Sequence, residues 1–329
     1  MKEDNMDFLL DNEKLKKAYK KSKKMSTIRI IIIVVLLIIP LYIVNVMIAS
    51  KMGTRYYTQV EKVLEVTNPN AYISKENDVI GFLGASGQYT VSKRIGSWKS
   101  VDIYDQNSSY GLGFINGINR TMSSSSGGQK AGEWPVNFDG SGNLTMMVFH
   151  PDIKYKEYKN DLALLNKVSS DSLLEMTLSF DKKYKINEVS NILPKIQISE
   201  LLIDGYTDKE MKDYKKQASE YDGKATFIHE FNFIGFKTSN GFNYDANEVS
   251  NNYGKFLNNL QFKFKDITYK KKFIDIYSVL KNKDQLKANK LDLIGVVVYG
   301  SPEELQKLKL NPHIRASSVG IITKDIIFK

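Results

Sequence analysis

The 329-residue chain contains no cysteine. That excludes a disulfide framework, a thiolate metal site and a cysteine nucleophile. Histidine is scarce as well. The three, His150, His229 and His313, lie far apart in sequence, so no local histidine cluster exists. None has a partner at metal-ligand spacing. The Gly-rich stretch at 111–117 reads GLGFING. Its spacing misses the dinucleotide fingerprint and no helix follows it, so it reads as turns. The serine-rich run at 123–126 lacks a nucleophile-elbow context and reads as linker. Glu303 and Glu304 are adjacent acids at a helix start, where they complement the dipole without any catalytic role. His150-Pro151-Asp152 offers an imidazole and a carboxylate at a strand end, and His229-Glu230 would face opposite ways on a strand. Carboxylates distant in sequence are the remaining route to acid–base catalysis. The expectation is a binding protein, not an enzyme, with no cofactor, no metal and no small-molecule substrate.

Charge of one sign is not lacking. The formal net charge is +10, which suits nucleic acid until its location is considered. Residues 30–49 read IIIIVVLLIIPLYIVNVMIA, with no charge. As a helix this run spans about 30 Å, enough to cross a hydrocarbon core. A signal peptide is the rival. Its apolar region is usually shorter and nearer the N-terminus, which favours an uncleaved anchor here. Lys14, Lys16, Lys17, Lys20, Lys21, Lys23, Lys24 and Arg29 precede the run, and only Lys51 and Arg55 closely follow it. The positive-inside rule then places residues 1–29 in the cytoplasm and the C-terminal part outside. The tail's lysines lie against an anionic leaflet, so no direct nucleic-acid contact is needed to explain them. Pro40 and Asn45 sit inside the run. A mild kink and a partnered or snorkelling amide account for them, and a helix–helix contact in the bilayer is the other reading.

The tail combines acids, apolar side chains and lysines. A helix from about Asp7 to Lys24 brings Phe8, Leu15 and Tyr19 near one another. With Leu9 and Leu10, these form a candidate partner-binding face: Phe8, Leu9, Leu10, Leu15 and Tyr19. Such a segment lies on the membrane or folds into a partner's groove.

The layout predicts an α+β protein. Residues 1–29 form the tail and 30–49 a single N-terminal transmembrane helix. Residues 50–153 form a β-rich membrane-proximal region, and 154–329 a C-terminal module. A helix over 55–66 is expected to end at Asn68-Pro69-Asn70. Residues 79–150 read as β-rich, with a long mobile loop over 105–143 and a strand at 144–151. In the C-terminal module, helices are expected around 154–167, 186–193, 208–220 and across 247–276. Strands are expected at 173–180, 195–204, 293–300 and 316–323. Ser301 and Pro302 stand in the favoured N-cap and N1 order. PKIQISELLI (194–203) aligns with PHIRASSVGI (312–321) at Pro194/Pro312, Ile196/Ile314, Ser199/Ser317 and Ile203/Ile321. The repeat suggests two strand–helix–strand units in one sheet, of the ferredoxin-like kind.

KKAYKKSKKMSTIRIIIIVVLL (16–37), MMVFHP (146–151), the 175–194 stretch and VVVYGSPEELQKLKLNPHIRASSVGII (296–322) together resemble the sigma factor regulator family of Gram-positive bacteria. The last motif is the most specific, because strand, turn, helix and strand fall in order. The resemblance implies a transmembrane, anti-sigma-factor-like regulator that holds an extracytoplasmic-function sigma factor through its tail. Its outer part would sense or bind envelope components. A tail of about 29 residues is short for covering a sigma factor alone, so a membrane co-regulator is a further implied partner. The alternative is an envelope-binding or wall-associated protein with a simple membrane anchor.

Overall fold

The computed structural model describes residues 3–68, 70–96, 99–111, 125–126, 133–193, 195–221, 223–238, 245–264 and 266–324, with tail side chains described from residue 14 onward. Tail, apolar run and stem form one helix, α1, Glu3–Thr67. At 1.5 Å per residue it is about 100 Å long. Pro40 lies inside it. The helix ends where Asn68 N–H donates to Leu64 O at 2.8 Å, just before Pro69.

Three antiparallel strands follow as a meander: β1 (Ala71–Gly81), β2 (Gly84–Ile95) and β3 (Lys99–Gly111), in that spatial order. Residues 105–110 of the expected loop are strand instead, because they pair with β2 from Thr90 back to Ala85. The GLGFING and SSSSGG segments lie almost wholly outside the described residues. The meander lies along the C-terminal third of α1, burying Tyr56, Val60 and Leu64 against Tyr89, Val91, Ile95 and Tyr110. At the far tip of the β1–β2 hairpin, Asn45 Nδ2 donates to Gly81 O (2.8 Å) and Leu83 N–H donates to Asn45 Oδ1 (2.7 Å). The amide in the apolar run is thus partnered within the chain.

Gly53 allows the close approach of helix and meander. A Cβ there would sit 2.8 Å from Cζ and Oη of Tyr110. Gly53→Leu should lower stability by about 1–3 kcal/mol through overpacking, more than the helix propensity it gains. Unfolding of the full chain in detergent micelles measures this, and a midpoint unchanged from wild type would refute the packing argument.

The C-terminal module is built on one sheet. Its strands are β4 (Ser172–Tyr184), β5 (Gln197–Ile203), β6 (Gly235–Lys237), β7 (Leu293–Gly300) and β8 (Ile314–Lys324). Their order is β6-β5-β7-β4-β8, with every neighbouring pair antiparallel. Without the short edge strand β6, the order is second, third, first, fourth. That is the ferredoxin-like arrangement of two interleaved strand–helix–strand units. Helix α2 (Ile186–Ile192) joins β4 to β5. Between β5 and β7 come α3 (Asp208–Glu220), β6, α4 (Ala246–Leu260) and α5 (Ile267–Asn282). Helix α6 (Pro302–Gln306) joins β7 to β8. It opens with Ser301 Oγ accepting from Glu304 N–H and Glu304 Oε2 accepting from Ser301 N–H. The repeat read from the sequence falls on β5 and β8, the closing strands of the two units.

One face of the sheet is apolar. Leu174, Met176, Leu178 and Phe180 of β4 share a core with Val249, Tyr253 and Phe256 of α4 and Phe273, Ile276 and Leu280 of α5. Val63 and Val66 of α1 belong to this core as well. The other face of β4 carries Glu175, Thr177 and Ser179, and residues 146–149 cross it as a strap. Ser179 Oγ accepts from Phe149 N–H (2.9 Å) and Ser318 Oγ from Met147 N–H (3.2 Å). The expected strand at 144–151 is therefore only Met147–Val148, paired with Ile228–His229. Outside it, Phe149 N–H bonds a sheet hydroxyl, Met146 N–H bonds Glu230 Oε2, Thr145 N–H bonds Asn137 O and His150 N–H bonds the Tyr155 hydroxyl.

The helix expected around 154–167 shrinks to a 3-10 turn, Asp161–Lys167. This turn and the residues just before it cover the open edge of β8. Ser317 N–H donates to Lys159 O, Leu162 N–H to Ser317 Oγ, and Val319 N–H to Asp161 Oδ2. An unpaired strand edge outbids helical periodicity here.

Candidate functional site

The tail face begins on α1. Leu15 and Tyr19 are one helical turn apart and both exposed. Phe8, Leu9 and Leu10 lie on the same helix, but their side chains are outside the described residues. The apolar run follows without a break. Its large apolar side chains from Ile30 to Val44 are 45–67% exposed on every side of the helix. A belt of that kind is not tolerated in water and fits a single-pass membrane anchor.

At its other end α1 is clamped between the two modules. Tyr56, Val60 and Leu64 face the meander, while Val63 and Val66 enter the C-terminal core. Asn259 Nδ2 of α4 donates to Glu65 Oε2 at 2.5 Å. Asn70 N–H donates to Glu200 Oε1 of β5 at 3.1 Å.

Beside this clamp lies a buried ionic cluster. Lys93 of β2 places Nζ 3.3 Å from both carboxylate oxygens of Glu175 and 2.5 Å from Glu230 Oε1. Glu230 Oε2 accepts from Met146 N–H at 2.7 Å, tying the strap into the same cluster. The side chains of Lys93 and Glu175 are only 2% and 1% exposed, and Glu200 is buried with them. Burial pushes the Glu175 carboxyl up to about 7; Lys93 opposes this, while Glu230 and Glu200 add to it. Burial also raises Glu200. Burial works against the Lys93 ammonium, but the carboxylates of Glu175, Glu230 and Glu200 outweigh it and raise its pKa. The cluster holds one cation and three acids, so it retains a proton near neutrality.

A second network surrounds Asp204. Lys183 Nζ lies 2.7 Å from Asp204 Oδ2 and 2.5 Å from Asp152 Oδ2, and Lys283 Nζ lies 2.9 Å from Asp204 Oδ2. Burial pushes Asp204 up, yet the adjacent His150 and the ammonium groups of Lys183 and Lys283 hold it well below the usual carboxylate range. His150 Nδ1 accepts from Asp152 N–H, and its Nε2 lies 3.3 Å from Asp204 Oδ1, too skewed for a hydrogen bond. His150, Asp152 and Asp204 bring ligand atoms within 4.8 Å of one another. Two ammonium groups already neutralise these carboxylates, so the arrangement suits an ion-pair network and would repel a metal dication.

The other histidines lie elsewhere. His229 stacks on Phe231 at 4.5 Å and shares a hydrogen bond with Thr145 Oγ1; burial lowers its pKa. His313 Nδ1 shares a 2.7 Å hydrogen bond with the Tyr184 hydroxyl. The structure does not bring the three histidines together.

The sigma factor regulator N-terminal family matches residues 13–99, and the sigma factor regulator C-terminal family matches residues 165–321. The chain belongs to the sigma factor regulator family. No curated protein and no solved structure matches it. Membership makes the chain an anti-sigma-factor-like regulator and implies interaction with a sigma factor. The N-terminal match takes in the tail from residue 13, the apolar run, the stem and the whole β1–β2 hairpin. None of the motifs that carry the sequence resemblance lies in 67–143, so the regulator's first hairpin belongs to the family pattern more fully than those motifs indicate. The C-terminal match covers both strand–helix–strand units.

Sequence reasoning did not find the ionic cluster of the regulator. One signal for it is present. Lys93 alternates in phase with Val91 and Ile95, all three buried, so a charge occupies an inward position of β2. Its partners Glu175, Glu200 and Glu230 come from three distant segments, and no local pattern points to them.

Proposed function

We propose that the regulator binds, or helps to sequester, an extracytoplasmic-function sigma factor through its N-terminal tail on the cytoplasmic side. Its C-terminal part lies outside, where it senses or binds envelope components. The regulator acts by binding and not by catalysis. The observation that carries this reading is the unbroken helix α1. One end exposes Leu15 and Tyr19 among lysines, the middle is an apolar belt, and the other end is buried between meander and sheet. A change in the outer packing can therefore reach the tail without a flexible linker. The lysine bias before the apolar run supports the orientation.

Full-length regulator purified in detergent should retain its sigma factor, alone or with a membrane co-regulator. The double variant Leu15→Asp/Tyr19→Asp should lose at least about tenfold in affinity, since two apolar anchors in a groove commonly contribute more than 1.4 kcal/mol. Equal capture by wild type and double variant would refute the tail face. Deleting residues 2–24 separates this reading from a simple wall-associated anchor, which predicts no change in transcription.

A further inference from the structure

The tip of the β1–β2 hairpin has no role in the regulator's tail or its core, and its position in the fold is unusual. Gly81 pairs with Gly84, leaving Phe82 and Leu83 as a two-residue turn. Leu83 takes a positive φ of 58°, a conformation costly for a residue with a side chain. Residues 79–87 read VIGFLGASG, without a charge. Phe82 is 87% exposed and Val79 71%, and Ile80 is exposed beside them. The first charge back from the turn, Asp78, is turned toward α1, where its Oδ2 accepts from the Tyr57 hydroxyl at 2.6 Å.

This apolar tip stands against the membrane-crossing part of α1. Asn45, which bonds both sides of the turn, lies six residues before Lys51, the first charge after the apolar run. Six residues of helix place it about 9 Å inside that charge. Ala49 and Gly53, one and two turns further on, are buried beneath the meander, so the hairpin descends along a strip of small residues.

We propose that residues 79–83 form a second membrane-binding element, with the apolar turn seated in the lipid leaflet on the C-terminal side of the span and Asn45 fixing its depth. The occupant is lipid because the exposed face is continuous with the lipid-facing belt of α1. Asn45 pairs two backbone groups of the turn. Asn45 satisfies the Leu83 N–H, which the turn leaves without a strand partner, and bonds the Gly81 carbonyl. Lipid cannot supply such hydrogen bonds. The same two bonds satisfy the amide of Asn45, which would otherwise be costly within the hydrocarbon. Two strongly exposed apolar side chains of the C-terminal module, Ile267 and Leu310, lie on other elements and serve as references. The proposal is independent of what the tail binds.

The absence of native cysteine makes a direct test available. Phe82→Cys, Val79→Cys and Leu310→Cys each carry the protein's single thiol and take an environment-sensitive fluorophore. The labelled full chain is reconstituted in phosphatidylcholine/phosphatidylglycerol vesicles. Quenching by nitroxide-bearing lipid is then compared with quenching by aqueous iodide. The expected result is strong lipid quenching at positions 82 and 79, with iodide quenching several-fold weaker there than at position 310. Iodide quenching at 82 and 79 equal to that at 310 would overturn the proposal. So would shielding from iodide without lipid quenching, which would mean that protein covers the tip. Asn45→Leu keeps the span apolar but cannot bond the turn. It should reduce lipid quenching at position 82 while leaving position 310 unchanged, and undiminished quenching at position 82 would overturn the role of Asn45.

Discussion

Lys93→Met should destabilise the folded regulator by about 3–5 kcal/mol, the usual cost of stranding buried charge by removing its partner. Lys93 is the cation that Glu175, Glu200 and Glu230 share. Methionine replaces most of its stem but none of its charge. The three acids then face one another across a closed space, and they must take up protons or open the joint to water. Chemical unfolding of the full chain in lipid nanodiscs measures the loss. It should be larger at pH 8 than at pH 5, because acid protonates the stranded carboxylates. Adding Glu230→Gln to Lys93→Met should recover part of the stability, since it removes one repelling charge. A loss below about 1 kcal/mol at pH 8, the scale of an exposed pair, would show that water reaches the cluster. The site matters because Lys93 comes from the meander and its partners come from the C-terminal module. The pair therefore closes the joint in which the stem of α1 is held.

Much of the frame was legible in the sequence. The strand LIGVVVYG and the helix DKEMKDYKKQASE fall at the boundaries their patterns indicate. Strong local signals explain this: a run of buried β-branched residues in the first, and a Thr207 cap over a polar helix in the second. The repeat on β5 and β8 was legible because both strands close strand–helix–strand units, although Ile203 is buried in the core under the helices and Ile321 in the core with the meander. The segment at 154–160 misled because its periodic tyrosines satisfy a helix pattern. Tyr155 and Tyr158 instead pack against Phe149, with ring centroids 5.1 and 5.7 Å away, while the backbone serves the edge of β8. Tertiary pairing there overrides local periodicity. Asn45 was visible as an oddity in the apolar run, but its partner lies 36 residues on in a hairpin tip. The ionic cluster joins residues as much as 137 positions apart, a separation at which only the fold can bring them together.

The charge imbalance of that cluster also sets a direction for pH. An unfolded chain releases the Glu175 proton near its ordinary value of about 4.3. The folded protein keeps it up to about 7, because burial disfavours the carboxylate. Between these values the folded state holds more protons than the unfolded one. Stability attributable to Glu175 is therefore fully present below about 4.3 and declines as pH rises toward 7, with a limiting slope of about 1.4 kcal/mol per pH unit. Glu200, raised for the same reason, acts in the same sense. His229, lowered by burial, acts in the opposite sense below its ordinary value of about 6.5. Asp204, held low by its cations, loses its contribution only in stronger acid. Glu175→Gln isolates the effect. Glutamine can still accept a hydrogen bond from Lys93 but carries no proton to lose. Unfolding curves between pH 5 and 8 should show a smaller fall with pH for the variant, which should exceed wild type in stability at pH 8. An unchanged slope in the variant would place the titration on another group. A reduced slope would show that the joint between the meander, the stem of α1 and the sheet loosens as the surrounding medium becomes less acidic. That would give the clamped end of the helix a chemical input of its own.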